Sequence, residues 1–149
     1  IPLAYPLDTA DVPAAWGPLA HGMALSVGNP HIVFLVPDSN GVPLDQLGPE
    51  IEHDPLFPER INVNVAEVTG PATLRLRVWE RGAGLTRACG TGACATAVAA
   101  IQRRLISSPV TVSLPGGELV IDWAPGDTIR MTGPATHVFS GDAELEAFG

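Results

Sequence analysis

Between Ala88 and Gln102 the chain carries no charge, and Ala, Thr, Cys, Val and Ile fall on every side of the helical wheel. This pattern predicts a helix from Gly92 to about Leu105. A helix with no polar face must be covered on all sides. The rest of the chain therefore has to supply a surface that wraps it.

That surface reads as a sheet. Residues 22–36, "GMALSVGNPHIVFLV", give two apolar runs broken at Gly28-Asn29-Pro30, a strand–turn–strand signal. In "RINVNVAEV", Ile61, Val63 and Val65 alternate with Asn62, Asn64 and Ala66. "ATLRLRVWE" alternates in the same way, and the turn residues Thr69-Gly70-Pro71 make the two runs antiparallel neighbours. "VTVSLPGGELVIDW" predicts a hairpin across Pro115-Gly116-Gly117, with "GDTIRMTG" and "ATHVF" as further short strands. The segment "LDQLGPEIEHD" reads as a short helix interrupted at Gly48-Pro49, and "ERGAGLTRACGTG" as a long Gly-rich connection. The proline-punctuated start is expected to be irregular. Together these elements predict an α+β fold, a mostly antiparallel sheet curled into a barrel-like wrap around one central apolar helix.

The composition narrows the chemistry. With 46% hydrophobic and 16% charged residues, the 149-residue chain has a globular composition. A net charge of -8 argues against a basic surface for nucleic acid. The uncharged stretch is too short and too weakly apolar to span a bilayer. All eight basic residues are Arg, so no Schiff-base lysine and no P-loop lysine can come from this chain. His21, His31, His53 and His137 lack ligand spacing, and Cys89 with Cys94 is not a C-x-x-C pair, so no metal site is expected. Without a disulfide framework or signal peptide, the expected compartment is the cytoplasm.

Both cysteines fall in "RACGTGACAT", residues 87–96. A cysteine just before a helix sits in the field of the helix N-terminus, which favours thiolate. The Gly-Thr-Gly that follows can turn successive N–H groups toward one bound anion. A base beside a bound carboxylate suits proton abstraction at the adjacent carbon. The same residues also fit a plain reading, a tight strand-to-helix turn with two buried cysteines. Cys94, inside the helix, reads as a small hydrophobe. Further polar candidates are Asn29 and His31 around Pro30, Asn62 on its strand, and Glu80 with Arg81 at a strand end.

The motifs "SVGNPHIV", "FPERINVNVAEV", "RVWERGAGLTRACGTGACA" and "RMTGPATHVFSG" occur in an order that resembles the diaminopimelate epimerase family over nearly the whole chain. The resemblance implies a cofactor-independent enzyme of lysine synthesis that interconverts LL- and meso-diaminopimelate with two cysteines on opposite faces of the α-carbon. It makes Cys89 one of that pair, and Gly90 and Thr91 part of the α-carboxylate cradle. Asn29, Asn62, Glu80 and Arg81 match substrate-holding positions, and His31 and Glu80 match polar residues that support the cysteines. Phe139 matches an aromatic dimer contact where tyrosine is common, and the implied full-length enzyme is a homodimer.

The family has two similar domains, and no second "CGNG"-type block occurs here. The resemblance thus implies a C-terminal epimerase domain at residues 1–134. It also implies a final strand and tail at 135–149 packing toward an N-terminal domain that carries the other cysteine. Two readings stand beside this one. The 149 residues could form a catalytically silent binding domain, or belong to a proline racemase-like cysteine enzyme of the same superfamily.

Overall fold

Alternation in the strands is expressed on two covered faces, because a helix packs on each side of the sheet. The computed structural model describes residues 1–144. Strands β1 (Met23–Ser26) and β2 (Pro30–Leu35) are followed by helix α1 (Leu44–Glu52). Next come β3 (Asn62–Gly70), β4 (Thr73–Glu80), β5 (Gly84–Thr86) and helix α2 (Gly90–Gln102). The final elements are β6 (Val110–Leu114), β7 (Gly117–Asp122) and β8 (Arg130–Thr132). The sheet order is β1-β2-β3-β4-β6-β7-β8, with β5 paired to β4.

Two neighbouring pairs, β2 with β3 and β4 with β6, are parallel, and the other pairs are antiparallel. Parallel neighbours need a crossover. Helix α1 lies in the first crossover and α2 in the second. The helices take opposite faces. A Cβ on Gly48 of α1 would stand 2.4 Å from the Trp79 ring, whereas one on Gly92 of α2 would stand 3.3 Å from Val78 Cγ2. Adjacent strand residues point to opposite faces, so α1 covers the Trp79 side and α2 the Val78 side. Helix α2 touches β1, β2, β3, β4, β6 and β7, and the sheet curls around it as a half-barrel. The expected wrap around a central apolar helix is thus the observed fold.

Local differences from the sequence reading have local causes. Helix α1 runs unbroken through Gly48-Pro49 because Leu44, Leu47 and Ile51 are anchored in the core. Pro49 removes one helical N–H donor, and this packing holds the turn regardless. Helix α2 starts earlier than expected, at Gly90, because Cys89 caps it, and it stops at Gln102 before Arg104 turns to φ 57°. The Gly-rich connection contains β5, a three-residue strand on the distal half of β4. The expected strand "ATHVF", residues 135–139, is absent, and the described part of 135–149 has none. Val138 and Phe139 are 83% and 80% exposed. Residues 145–149 of that expected tail lie outside the described residues.

Candidate active site

Topology brings the polar candidates to one end of the sheet. The N-terminal ends of β2 and β3 lie beside the C-terminal end of β4, as the pairings His31–Asn62 and Val63–Trp79 require. From β5, which lies on that end of β4, only residues 87–88 lead into Cys89. His31, Asn62 and Asn64 share the face that meets α2 and are all buried.

Cys89 has extended backbone (φ -149°, ψ 104°) and caps α2. Its Sγ accepts the Gly92 N–H at 3.3 Å and lies 3.7 Å from Thr91 Oγ1. The N–H groups of Gly90 and Thr91 belong to the first turn, where the helix offers them no acceptor. Glycine at position 92 permits this close approach, since a Cβ there would stand 2.7 Å from Asn64 Oδ1 and 3.1 Å from Cys89 Sγ. The expected place of Cys89 at the helix N-terminus is observed.

The expected thiolate preference is not. Burial raises the Cys89 thiol above its ordinary value, and the neighbouring Glu80 carboxylate pushes the same way. The Gly92 N–H and Thr91 hydroxyl act against this rise without reversing it. Cys89 is only 7% exposed, and desolvation is the largest influence on its thiol. Cys94 is half-buried among the apolar residues packed around α2, as the hydrophobe reading has it.

From Thr91 a line of side chains runs into the core. Asn29 Nδ2 lies 3.3 Å from Thr91 Oγ1, and Asn29 Oδ1 lies 3.0 Å from His31 Nε2. On the far side of the ring, His31 Nδ1 is 3.1 Å from Asn64 Nδ2. Burial lowers the His31 pKa to about 4, and the Arg81 charge acts in the same direction. Donation by Asn64 to an unprotonated Nδ1 also favours the neutral ring.

Glu80 is fixed by the Thr86 hydroxyl, which donates to its Oε1 at 2.6 Å. Asn62 works through the backbone: its Nδ2 donates to Pro30 O at 2.8 Å and its Oδ1 accepts the Arg81 N–H at 2.9 Å. Arg81 is exposed at the rim, its guanidinium donating to Glu59 O at 2.9 Å and so turned toward that loop. The structure thus gathers Asn29, His31, Glu80, Cys89, Gly90 and Thr91 around one helix end. Asn62 braces the three strand ends, and Arg81 stands at the edge. Phe139 makes no part of this cluster.

Two residues that sequence reasoning missed complete the arrangement. Asn64 touches His31 from below, and its only sequence signal is the shared alternation with Asn62. Glu52 is buried on the opposite face, accepting the Trp79 indole N–H at 2.8 Å and the Gly82 N–H at 2.9 Å. Burial alone would raise its pKa, but these hydrogen bonds, with the nearby His53 and Arg60 charges, bring it below the ordinary value. Glu52 therefore pins the turn that carries Glu80 and Arg81.

The chain is thus a curled α+β half-barrel with a thiol capping its central helix, beside a carboxylate and a neutral imidazole. The fold itself has a solved likeness. A phenazine biosynthesis protein of the PhzF family from Enterococcus faecalis matches with a TM-score of 0.50 and 16% identity, over 66% of this chain and 35% of that chain. Sequence is more specific: the diaminopimelate epimerase family model matches residues 23–138, and the chain belongs to that family. Diaminopimelate epimerases of Sphingopyxis alaskensis and Rhizorhabdus wittichii are each 66% identical over all 149 residues. Those residues make up 56% and 54% of the two relatives, so the chain spans about half the length of the curated relatives it matches.

Proposed function

We propose that this chain is the C-terminal catalytic half of a cofactor-independent epimerase that interconverts LL- and meso-diaminopimelate in lysine synthesis. The observation that carries the reading is Cys89 at the N-terminus of α2, with its sulfur on the Gly92 N–H and beside Glu80 and Thr91. The free N–H groups of Gly90 and Thr91 cradle the α-carboxylate and take up charge as the α-carbon becomes carbanionic. Asn29, Asn62, Glu80 and Arg81 hold the rest of the substrate.

Inversion needs two groups on opposite faces. A thiolate from the other half of the full-length protein takes the α-proton and becomes a thiol. The Cys89 thiol gives its proton to the opposite face of the same carbon and becomes a thiolate. In the reverse direction the roles exchange. The raised Cys89 pKa suits a group that rests protonated and acts first as the acid. Cys94 follows on the same helix and cannot stand on the opposite face. Residues 1–134 serve as the domain, while 135–149 and the exposed Phe139 serve contacts with the partner domain or a second copy. The enzyme works as a homodimer in the cytoplasm.

The test is interconversion of the stereoisomers, with exchange of the α-hydrogen in deuterated water. The chain alone should not interconvert them, and adding the N-terminal half should restore both readouts. Full turnover by the chain alone would overturn the two-thiol reading.

A further inference from the structure

Valence fixes the direction of each hydrogen bond from Asn64 as far as Thr91. The Ile32 carbonyl can only accept, so the Asn64 group 3.0 Å from it is the amide nitrogen. That nitrogen also lies 3.1 Å from His31 Nδ1, which therefore accepts. A neutral ring then carries its proton on Nε2, which donates to Asn29 Oδ1 at 3.0 Å. This turns Asn29 Nδ2 toward Thr91 Oγ1, where it donates at 3.3 Å. With one acceptor site so filled, the Thr91 hydroxyl still has its proton free to donate to Cys89 Sγ, 3.7 Å away, once that sulfur is a thiolate.

We propose that Asn64 is a positioning residue for Cys89, acting through neutral His31, Asn29 and Thr91 so that the hydroxyl proton of Thr91 is held toward the sulfur. The proposal rests on the reading of Cys89 as the reacting group, because the line of donors matters most once that sulfur has given up its proton. His31 then serves as a fixed relay and carries no proton to or from substrate. The opposite tautomer would set an Nδ1–H against the Asn64 amide, donor facing donor. Asn29 would have to flip, and Thr91 would donate to Asn29 and present only lone pairs to the sulfur. Neutral His31 fits its surroundings, since it is fully buried and Arg81 is the charge that bears on it. The thiol in turn faces Glu80, and Cys94 lies along the same helix.

Nitrogen-15 NMR of the His31 ring in the unmodified chain reads the tautomer directly. Near neutral pH, Nε2 should be protonated and Nδ1 bare, and an Nδ1–H tautomer or an imidazolium overturns the proposal. The second measurement is the alkylation rate of Cys89 by iodoacetamide in a Cys94→Ala background. Asn64→Leu and Thr91→Val should each slow it by about three- to tenfold, the range of a single ordinary hydrogen bond. The double variant should be no slower than Thr91→Val alone, because both act through one hydroxyl. Effects that multiply contradict the relay. Alkylation reports the thiol and not turnover, so a full-length protein without epimerase activity would sink the functional reading and leave these results standing.

Discussion

The two faces of strands β2 to β4 are both buried, yet they are built from different material. The face toward α1 presents Phe34, Val63, Val65 and Trp79 to Leu44, Leu47 and Ile51, filling its layer with large side chains. The face toward α2 carries Leu35, Ala66 and Leu76 at one end and His31, Asn62 and Asn64 at the other. Against it lies a helix of Gly, Ala and Thr, whose backbone comes close enough for Gly92 to rest on Asn64. Large side chains fill volume and give stability. Small residues let a backbone approach polar groups and set them at bonding distance. One set of strands thus supports a packing layer and a chemical layer through alternation alone.

Phe34→Ala should produce the largest effect. Phe34 is fully buried and meets Trp16 edge-on with ring centroids 6.0 Å apart. Its loss should lower unfolding free energy by about 3–5 kcal/mol in denaturant titration. Cys89 alkylation in the folded fraction should not change. A loss under about 1 kcal/mol would remove the assigned role of the α1 face.

Acid should separate the faces next. His31 has a folded pKa of about 4 against an ordinary 6.5, so between these values the unfolded chain binds a proton that the folded chain rejects. Stability therefore falls as pH drops through that window, by about 3 kcal/mol in total. Glu52 belongs to the α1 side, and its folded pKa is lowered from 4.5. The stability it contributes is present above that value and is lost only as pH falls further. Unfolding measured as a function of pH should weaken first through His31, and His31→Gln should flatten that first slope alone. A wild-type profile flat from 6.5 down to 4.5 contradicts the account of the inner face.

The smallest effects come from the two contact glycines. Gly48→Ala and Gly92→Ala should each destabilise by about 1–3 kcal/mol through overpacking. Only Gly92→Ala should change the Cys89 alkylation rate, because its Cβ would press on both Asn64 and the sulfur. Equal changes in both variants would mean that the faces are not separate.

Much of this division is legible in the sequence, and the limits have physical causes. The alternation of Val63 and Val65 with Asn62 and Asn64 gives strand β3, and the uncharged run gives the covered helix. The Cys-Gly-Thr-Gly order places Cys89 at that helix's start. The direction of its pKa shift was not legible, because burial depends on what the fold stacks over the sulfur and a local motif does not record that. Glu52 meets Trp79 and Gly82 across 27 and 30 residues of chain, and Asn64 meets His31 across 33. Partners so far apart leave no local pattern. The stretch "ATHVF", residues 135–139, reads as a short strand in the sequence, yet it forms none and leaves Val138 and Phe139 exposed, because a strand is held by packing and pairing that a local stretch does not record.

The role proposed for Cys89 is to exchange a proton with the substrate's α-carbon. Its most direct test is interconversion of the stereoisomers by the full-length protein in deuterated water, comparing wild type with Cys89→Ser. Serine keeps the shape, but its hydroxyl is far less acidic than a thiol, so near neutral pH it stays protonated and can neither give up that proton nor act as the base. The account predicts that inversion falls to background in the variant while the stability of the fold is retained. Unimpaired interconversion of the LL and meso forms by Cys89→Ser would contradict it.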